Sequence, residues 1–373
     1  MRLPELGRSA RLALLLLELV GCGHSEPFGG EHFDTDQPFV ATPPVRLTLN
    51  PGPDRGAAWL TSGSTVTYST QLLDSRDHDV CLAVLPATGG RQSALTCELV
   101  PTGAQLTEAI ESAAPASDGR LGFVVASSGI GALLPLTQHL ALGTVSQPTE
   151  YRTLLSLPYS STTGRLIGGI SQLHWQGEQR LIYLAELVST RLPCNGCPID
   201  TVRSGLEAHL VATDEPGAFQ VVPGTDFASG VSPGPTEDEV YYTLGGDSRV
   251  YRRVLSSGEV TVAHDFGATG IARDVHVIGS TLAAVVGGRV TFSTDAALGP
   301  VQWDSGGTLH VVDLQNGSDI PIDGPGLFRR PQLSPDATQV VAEVYPLIIT
   351  PLPEGTADTT VGRNGDLYVV GRP

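Results

Sequence analysis

Arg330-Pro331-Gln332-Leu333-Ser334-Pro335-Asp336-Ala337-Thr338-Gln339-Val340-Val341-Ala342 is the stretch from which the fold is read. Weaker copies of the same turn and following strand lie upstream. Trp59-Leu60-Thr61-Ser62-Gly63 precedes Thr65-Val66-Thr67-Tyr68, and Ala114-Pro115-Ala116-Ser117-Asp118-Gly119-Arg120 precedes Leu121–Val125. Leu173–Gly177 leads into Leu181–Leu184, Ser232–Asp238 into Glu239–Tyr242, and Val277–Ser280 into Leu282–Val286. Taking residues 63, 119, 177, 237, 279 and 336 as turn positions gives spacings of 56, 58, 60, 42 and 57. A unit of ~40–45 residues with loop insertions accommodates them, and such a period marks a repeat architecture.

Residues 330–342 resemble the repeat of TolB-type, WD-like β-propellers. In that family a Pro-x-x-Ser-Pro-Asp-Gly turn joins the first and second strands of a blade, and Pro331, Ser334, Pro335 and Asp336 carry the match. The resemblance covers nearly all of residues 45–373 and implies an all-β, six-bladed propeller of four-stranded antiparallel blades. One blade can be read physically. Glu239–Leu244 is β-rich, Gly245–Ser248 turns, Arg249–Leu255 alternates, and Ser256–Glu259 turns again into Val260–His264. That is a meander of consecutive hairpins. Thr308–Leu314 and Asp366–Val370 repeat the third strand, and the chain stops three residues after the second of them. Val45–Leu49 is therefore expected to supply the missing fourth strand and close the ring without a covalent bond, covering an edge that would otherwise invite aggregation. Residues 104–113 are the one helix expected, as an insert between the first two blades. Isolated meanders bury too little, so stability should come from packing blade on blade.

Composition agrees with a turn-rich globular chain. Hydrophobic residues make up 40% and charged residues 16% of 373, while Gly 44 and Pro 28 together reach 19%, against ~12% in an average protein. Every basic residue is arginine, which excludes a Schiff-base lysine and a phosphate-loop lysine. A net charge of −17 speaks against nucleic acid as a partner.

The N-terminus reads as an address and an anchor. Arg2, Arg8 and Arg11 lead into the apolar run Leu12–Val20, which is of signal-peptide length and far short of the ~20 residues that span a bilayer. Leu19-Val20-Gly21-Cys22 resembles the lipobox of bacterial lipoproteins. The resemblance implies cleavage after residue 21, lipidation of Cys22 and, with Gly23 following, transfer to the outer membrane. The expected division is a lipoprotein signal peptide over 1–21, a flexible Pro/Gly/acid-rich tether over 22–44, and the propeller over 45–373.

Four further cysteines suit an oxidising compartment. Cys81 and Cys97 flank a hairpin turning at Gly89-Gly90. Their indices are centred on Gly89, so they should face each other across the ladder at bridging distance. Cys194-Asn195-Gly196-Cys197 lies between Pro193 and Pro198. Haem attachment is excluded because no histidine follows, a zinc half-site lacks a second pair, and a redox helix lacks its context. A structural disulfide clamping a loop is the reading, with a redox-active pair as the alternative.

Other candidates are weighed against structural roles. Gly230-Val231-Ser232-Pro233-Gly234 fits the serine-hydrolase pattern, but it falls on a blade turn rather than a strand-to-helix elbow. Asp74, Asp77 and Asp79 cluster without the EF-hand pattern and read as a solvated loop; calcium there is the open alternative. His139, His174, His209, His264, His276 and His310 show no zinc spacing, although equivalent blade positions could converge at the channel. Trp59, Trp175 and Trp303 read as blade packing. The resulting expectation is a lipid-anchored envelope module that holds a protein or peptide partner, with no cofactor and no metal. The alternative is a propeller lyase, hydrolase or quinone-dependent sugar dehydrogenase, which requires ionisable side chains converging in the central channel.

Overall fold

The structure, a computed structural model, describes residues 44–48, 54–71, 80–90, 92–96, 106–129, 137–160, 166–191, 200–287, 290–293, 301–304, 306–351, 357–361 and 365–371. Six small antiparallel sheets form a ring, a six-bladed β-propeller. Strand β1 (Val45–Arg46) stands apart at the start. Blade 1 holds β2 (Asp54–Trp59), β3 (Thr65–Gln71), β4 (Val80–Pro86) and β5 (Ser93–Thr96). Blade 2 holds β6 (Leu106–Pro115), β7 (Arg120–Gly129), β8 (Thr137–Thr144) and β9 (Arg152–Leu157). Blade 3 holds β10 (Tyr159–Ser160), β11 (Leu166–Gln176), β12 (Arg180–Arg191), β13 (Asp200–Ala212) and β14 (Phe219–Val221). Blade 4 is β15 (Ala228–Pro233), β16 (Glu239–Leu244), β17 (Arg249–Val254) and β18 (Val260–Asp265). Blade 5 is β19 (Ala272–Ile278), β20 (Thr281–Val286), β23 (Thr308–Asp313) and β24 (Ser318–Ile322), with β21 (Val290–Ser293) and β22 (Val301–Asp304) as a separate hairpin between β20 and β23. Blade 6 is β25 (Gly326–Leu333), β26 (Gln339–Pro351), β27 (Ala357–Val361) and β28 (Asp366–Gly371).

All six expected turns fall between the first and second strands of a blade. The ring closes as expected: Val45 pairs with Val369 and Arg46 with Tyr368, so β1 completes blade 6. Leu47 N then donates to Leu367 O at 2.7 Å, and Arg46 pairs with Asp366 at 2.8 Å. Buried apolar side chains gather into clusters that each join two neighbouring blades, from Leu82 with Phe123 between blades 1 and 2 round to Trp59 with Val341 between blades 1 and 6. Blade-on-blade packing is thus the core.

The helix expected over 104–113 is corrected. Leu106–Pro115 is strand β6, paired antiparallel with β7 from Leu106↔Gly129 to Pro115↔Leu121. Its Ala and Glu residues favour a helix in isolation. As the inner strand of blade 2, however, the segment satisfies its backbone against β7 and buries Ala113 and Ala114.

Blade outlines differ in the connection between second and third strands. In blade 4 the paired strands β16 and β17 are joined directly by the turn Gly245–Ser248, whereas β12–β13, β21–β22 and β26–β27 prolong blades 3, 5 and 6 as hairpins. In an up-and-down meander those hairpins rise on the face that also receives each crossover into the next blade. The short spacing of 42 residues after position 237 therefore marks blade 4, where the hairpin is missing.

Candidate functional site: the central channel

The inner strand of every blade is broken by a β-bulge at the same level, with register shifts at Arg55/Ala58, Glu111/Ala114, Ser171/His174, Ala228/Gly230, Arg273/His276 and Arg329/Gln332. In five blades the bulge holds a left-handed residue: Gly56, Ser112, Gln172, Asp274 and Arg330 at φ between 46° and 61°. In blade 4 the equivalent residue is Gly230, where an added Cβ would stand 2.7 Å from Asp274 N. A bulge turns side chains and N–H groups away from the strand's own ladder. Here it aims them at the ring centre.

Those groups meet across blades. Gln172 Nε2 donates to Asp274 Oδ1 at 2.6 Å, reaching from blade 3 to blade 5, and Gln172 Oε1 accepts from Val231 N at 3.1 Å. Asp274 Oδ2 accepts from Arg330 N at 3.1 Å. Arg330 Nη1 pairs with Glu343 Oε1 at 3.1 Å; Glu343 also accepts from Gly56 N at 2.9 Å and Tyr345 OH at 3.0 Å. Glu343 is fully buried and the Arg330 side chain is 27% exposed. Burial works against the Glu343 charge, but the Arg330 and Arg329 guanidiniums and the Gly56 N–H outweigh it and hold its carboxyl below the usual range. The same carboxylate raises Arg330 further. Burial, with Glu343 adding to it, pushes the Tyr345 hydroxyl up to about 12.

One step along, His174 and His276 lie with ring centroids 5.2 Å apart, again bridging blades 3 and 5. Burial pushes His174 down to about 4 and His276 well below its ordinary value, so both are neutral. His276 Nδ1 accepts from Leu333 N at 3.0 Å, and Ser232 Oγ accepts from Val277 N at 2.9 Å. At the same level Trp59 Nε1 donates to Gln332 O and Trp175 Nε1 to Ala114 O, each at 2.8 Å. Four of the six blade junctions are stapled by this one pair of positions. The other two present Pro115 and Pro233, which have no N–H to give. There Thr61 Oγ1 donates to Ala116 O at 3.0 Å, and Gln176 Nε2 reaches Glu237 O and Glu239 O at 2.9 Å. His174 Nε2 is buried without a hydrogen-bond partner.

The residues singled out in the sequence divide accordingly. Ser232, of the hydrolase-like motif, is buried within β15 as a junction staple and is not on an elbow. Trp59 and Trp175 do pack between blades. Pro331 lies on β25, and Ser334, Pro335 and Asp336 form the turn after it. Ser334 Oγ donates to Asp336 Oδ1 at 2.6 Å and accepts from Gln339 N at 3.0 Å, while Asp336 accepts from Thr338 N at 3.1 Å. These bonds, the one from Ser334 first, hold Asp336 below the usual carboxylate range. The motif builds the blade turn. His139 contacts Ser156 at 3.1 Å. His209 lies between Glu207 at 2.7 Å and Tyr159 at 2.8 Å inside the junction of blades 2 and 3, and burial lowers it. His264 and His310 both face Asp319, at 4.0 and 2.8 Å. No group of three or more potential metal ligands occurs among the described residues. Cys81 is buried on β4. Cys22, Cys97, Cys194, Cys197, Asp74, Asp77 and Asp79 lie outside the described residues. Missed in the sequence were Gln172, Asp274, Arg330 and Glu343. Gln172, Asp274 and Arg330 lie five or six residues before turn positions 177, 279 and 336 but share no residue type, and Glu343 sits on a second strand with no motif about it.

No family model matches the chain, and no curated protein matches it. Similarity to solved structures is plentiful and remote. A gluconolactonase from Xanthomonas campestris superposes with a TM-score of 0.51 at 13% identity, over 88% of this chain and 95% of that one. TolB from Acinetobacter baumannii gives 0.48 at 14% identity over 82% of this chain, which spans only 65% of the TolB length. An oligogalacturonate lyase from Vibrio parahaemolyticus gives 0.46 at 10% identity, over 90% and 96%. At such identities the likeness is one of fold. The chain is a six-bladed β-propeller.

Proposed function

We propose that this chain is a lipid-anchored cell-envelope propeller that binds or assembles a protein or peptide partner and performs no catalysis of its own. The observation that carries this reading is the mutual commitment of the channel's ionisable groups. Glu343 holds Arg330, Gly56 N–H and Tyr345; Asp274 holds Gln172 and Arg330 N–H. A catalytic acid or base has to exchange its proton with substrate, whereas these groups lock blade to blade. The partner-facing surface is assigned to the face of the long hairpins. There Phe227 enters β15 at φ 63°, 63% exposed, its carbonyl fixed by Gly245 N at 2.8 Å. A large aromatic held out to solvent in a costly conformation suits an interface anchor. The test is affinity capture from a cell envelope fraction, with Phe227→Ala as comparison. The reading requires a partner that the variant retains several-fold less; recovery of no partner rejects it.

The anchor belongs to the same proposal. Cys22→Ser should move the protein from membrane to soluble fractions, and unchanged partition would remove the lipid from the account. So do the bridges Cys81–Cys97 and Cys194–Cys197. The pairing Leu82↔Thr96 keeps the index sum that puts positions 81 and 97 opposite each other, which supports the first.

The convergence of Asp274, Arg330 and Glu343 favours the enzyme alternative as a second reading. Turnover of a lactone or an oligogalacturonate by the purified chain, abolished in Glu343→Gln without loss of fold, would establish it.

A further inference from the structure

Val260 and Val262, two of the most exposed large apolar side chains at 42% and 49%, sit two residues apart on β18, the outermost strand of blade 4. Four of the five other outer strands are very short or guarded. Strand β1 has two residues and β14 three, β24 contains Asp319 and Pro321, and β9 opens with Arg152. Charge and proline on an edge discourage pairing with another chain. Val260-Thr261-Val262 has neither.

The ladder shows which way the backbone of this edge points. Val254 N donates to Glu259 O at 2.9 Å, so that pair is hydrogen-bonded. Bonded and non-bonded pairs alternate along an antiparallel ladder. Arg252↔Thr261 is therefore bonded, while Arg253↔Val260 and Tyr251↔Val262 are not. The N–H and C=O groups of Val260 and Val262 consequently point outward, at the free edge. Past Val262 the register shifts and the strand bends away. The usable edge is thus a triad that reads the same in both directions.

We propose that β18 is the interface of a symmetric dimer in which a second copy of this chain adds its own β18 antiparallel, with the twofold axis through Thr261. No other antiparallel register joins both outward residues to outward residues: Val260 must face the second copy's Val262, and Val262 its Val260. Both pairs exchange main-chain hydrogen bonds, and valine packs on valine across the strands. Glu259 then faces the uncharged Ala263, so no like charges oppose. The ladder is short, and the association is weak. This surface is independent of the partner-binding face, so it stands or falls without the reading above.

The register sets the two Thr261 residues directly opposite as a non-bonded pair, Cα atoms ~4.5 Å apart, within disulfide range. Under mild oxidation the full chain carrying Thr261→Cys should form a reducible covalent dimer about tenfold more readily than Ser257→Cys on the neighbouring turn. In sedimentation velocity over a concentration series, the unmodified chain should rise toward twice its mass. Val260→Arg/Val262→Arg, whose sites are exposed, should melt like the parent and stay monomeric. Equal cross-linking at positions 257 and 261, a parent that is monomeric throughout, or a double variant that still dimerises each overturns the proposal.

Discussion

Glu343 accepts from three donors contributed by blades 1 and 6, and no water-exposed surface is left to it. Glu343→Gln keeps the shape and the acceptor oxygen but leaves Arg330 without its counter-ion. Breaking a buried pair from one side typically costs about 3–5 kcal/mol, and the partial exposure of Arg330 lowers the expected loss to about 2–3 kcal/mol. Thermal denaturation measures it, and an unchanged melting temperature would show the pair to be dispensable. The histidines carry a pH dependence. His174, at about 4, and His276 are neutral in the folded chain, whereas an unfolded histidine takes up a proton below ~6.5. The unfolded state then binds more protons, so their contribution is complete above about pH 6.5 and is lost as pH falls toward 4. Urea midpoints should be lower at about pH 5 than at about pH 7, and His276→Gln should flatten the difference. Residue chemistry was legible in part. Tryptophans 59 and 175 read correctly as packing, while the channel network was hidden because its members lie on blades 3, 5, 6 and 1, far apart in the chain.

At the level of the element, the turn and the bulge recur with the blade. Gly63, Gly119, Gly177 and Gly279 all have positive φ in the turn between first and second strands, but blade 6 places Ala337 there at φ 56°. Left-handed backbone costs an L-residue roughly 1–2 kcal/mol that glycine does not incur. Ala337→Gly should therefore stabilise the chain by about 0.5–1 kcal/mol net of glycine's greater unfolded entropy. A decrease in denaturation midpoint would contradict this. Gly230→Ala should act oppositely, since its Cβ would stand within 2.8 Å of two backbone nitrogens in the next blade, Asp274 N and Val275 N. A loss of about 3 kcal/mol is expected by equilibrium unfolding. The turns were readable because proline, glycine and aspartate restrict their own backbone. Strand β6 was not: its local preference is helical, and only pairing with β7 overrides it. The bulges left no signal either, since residues as different as Gly56, Gln172 and Arg330 occupy one conformation.

For the molecule as a whole, closure joins residues more than 300 positions apart through a two-residue strand and Leu47, which is 1% exposed. Leu47→Ala should cost about 2–4 kcal/mol, as at a deep core position. A terminal residue that merely frays would cost a few tenths, and chemical denaturation separates the two outcomes. Recurring turns, a third strand read in three blades and the unmatched first strand sufficed to read the ring and its closure from the chain, because each depends on local geometry that recurs with the blade. What the channel contains was settled by assembly. Six bulges turn toward one axis, four of them carrying side chains, and whether Asp274 meets a substrate or Gln172 depends on which residues the other blades bring there, a distance that no local pattern encodes.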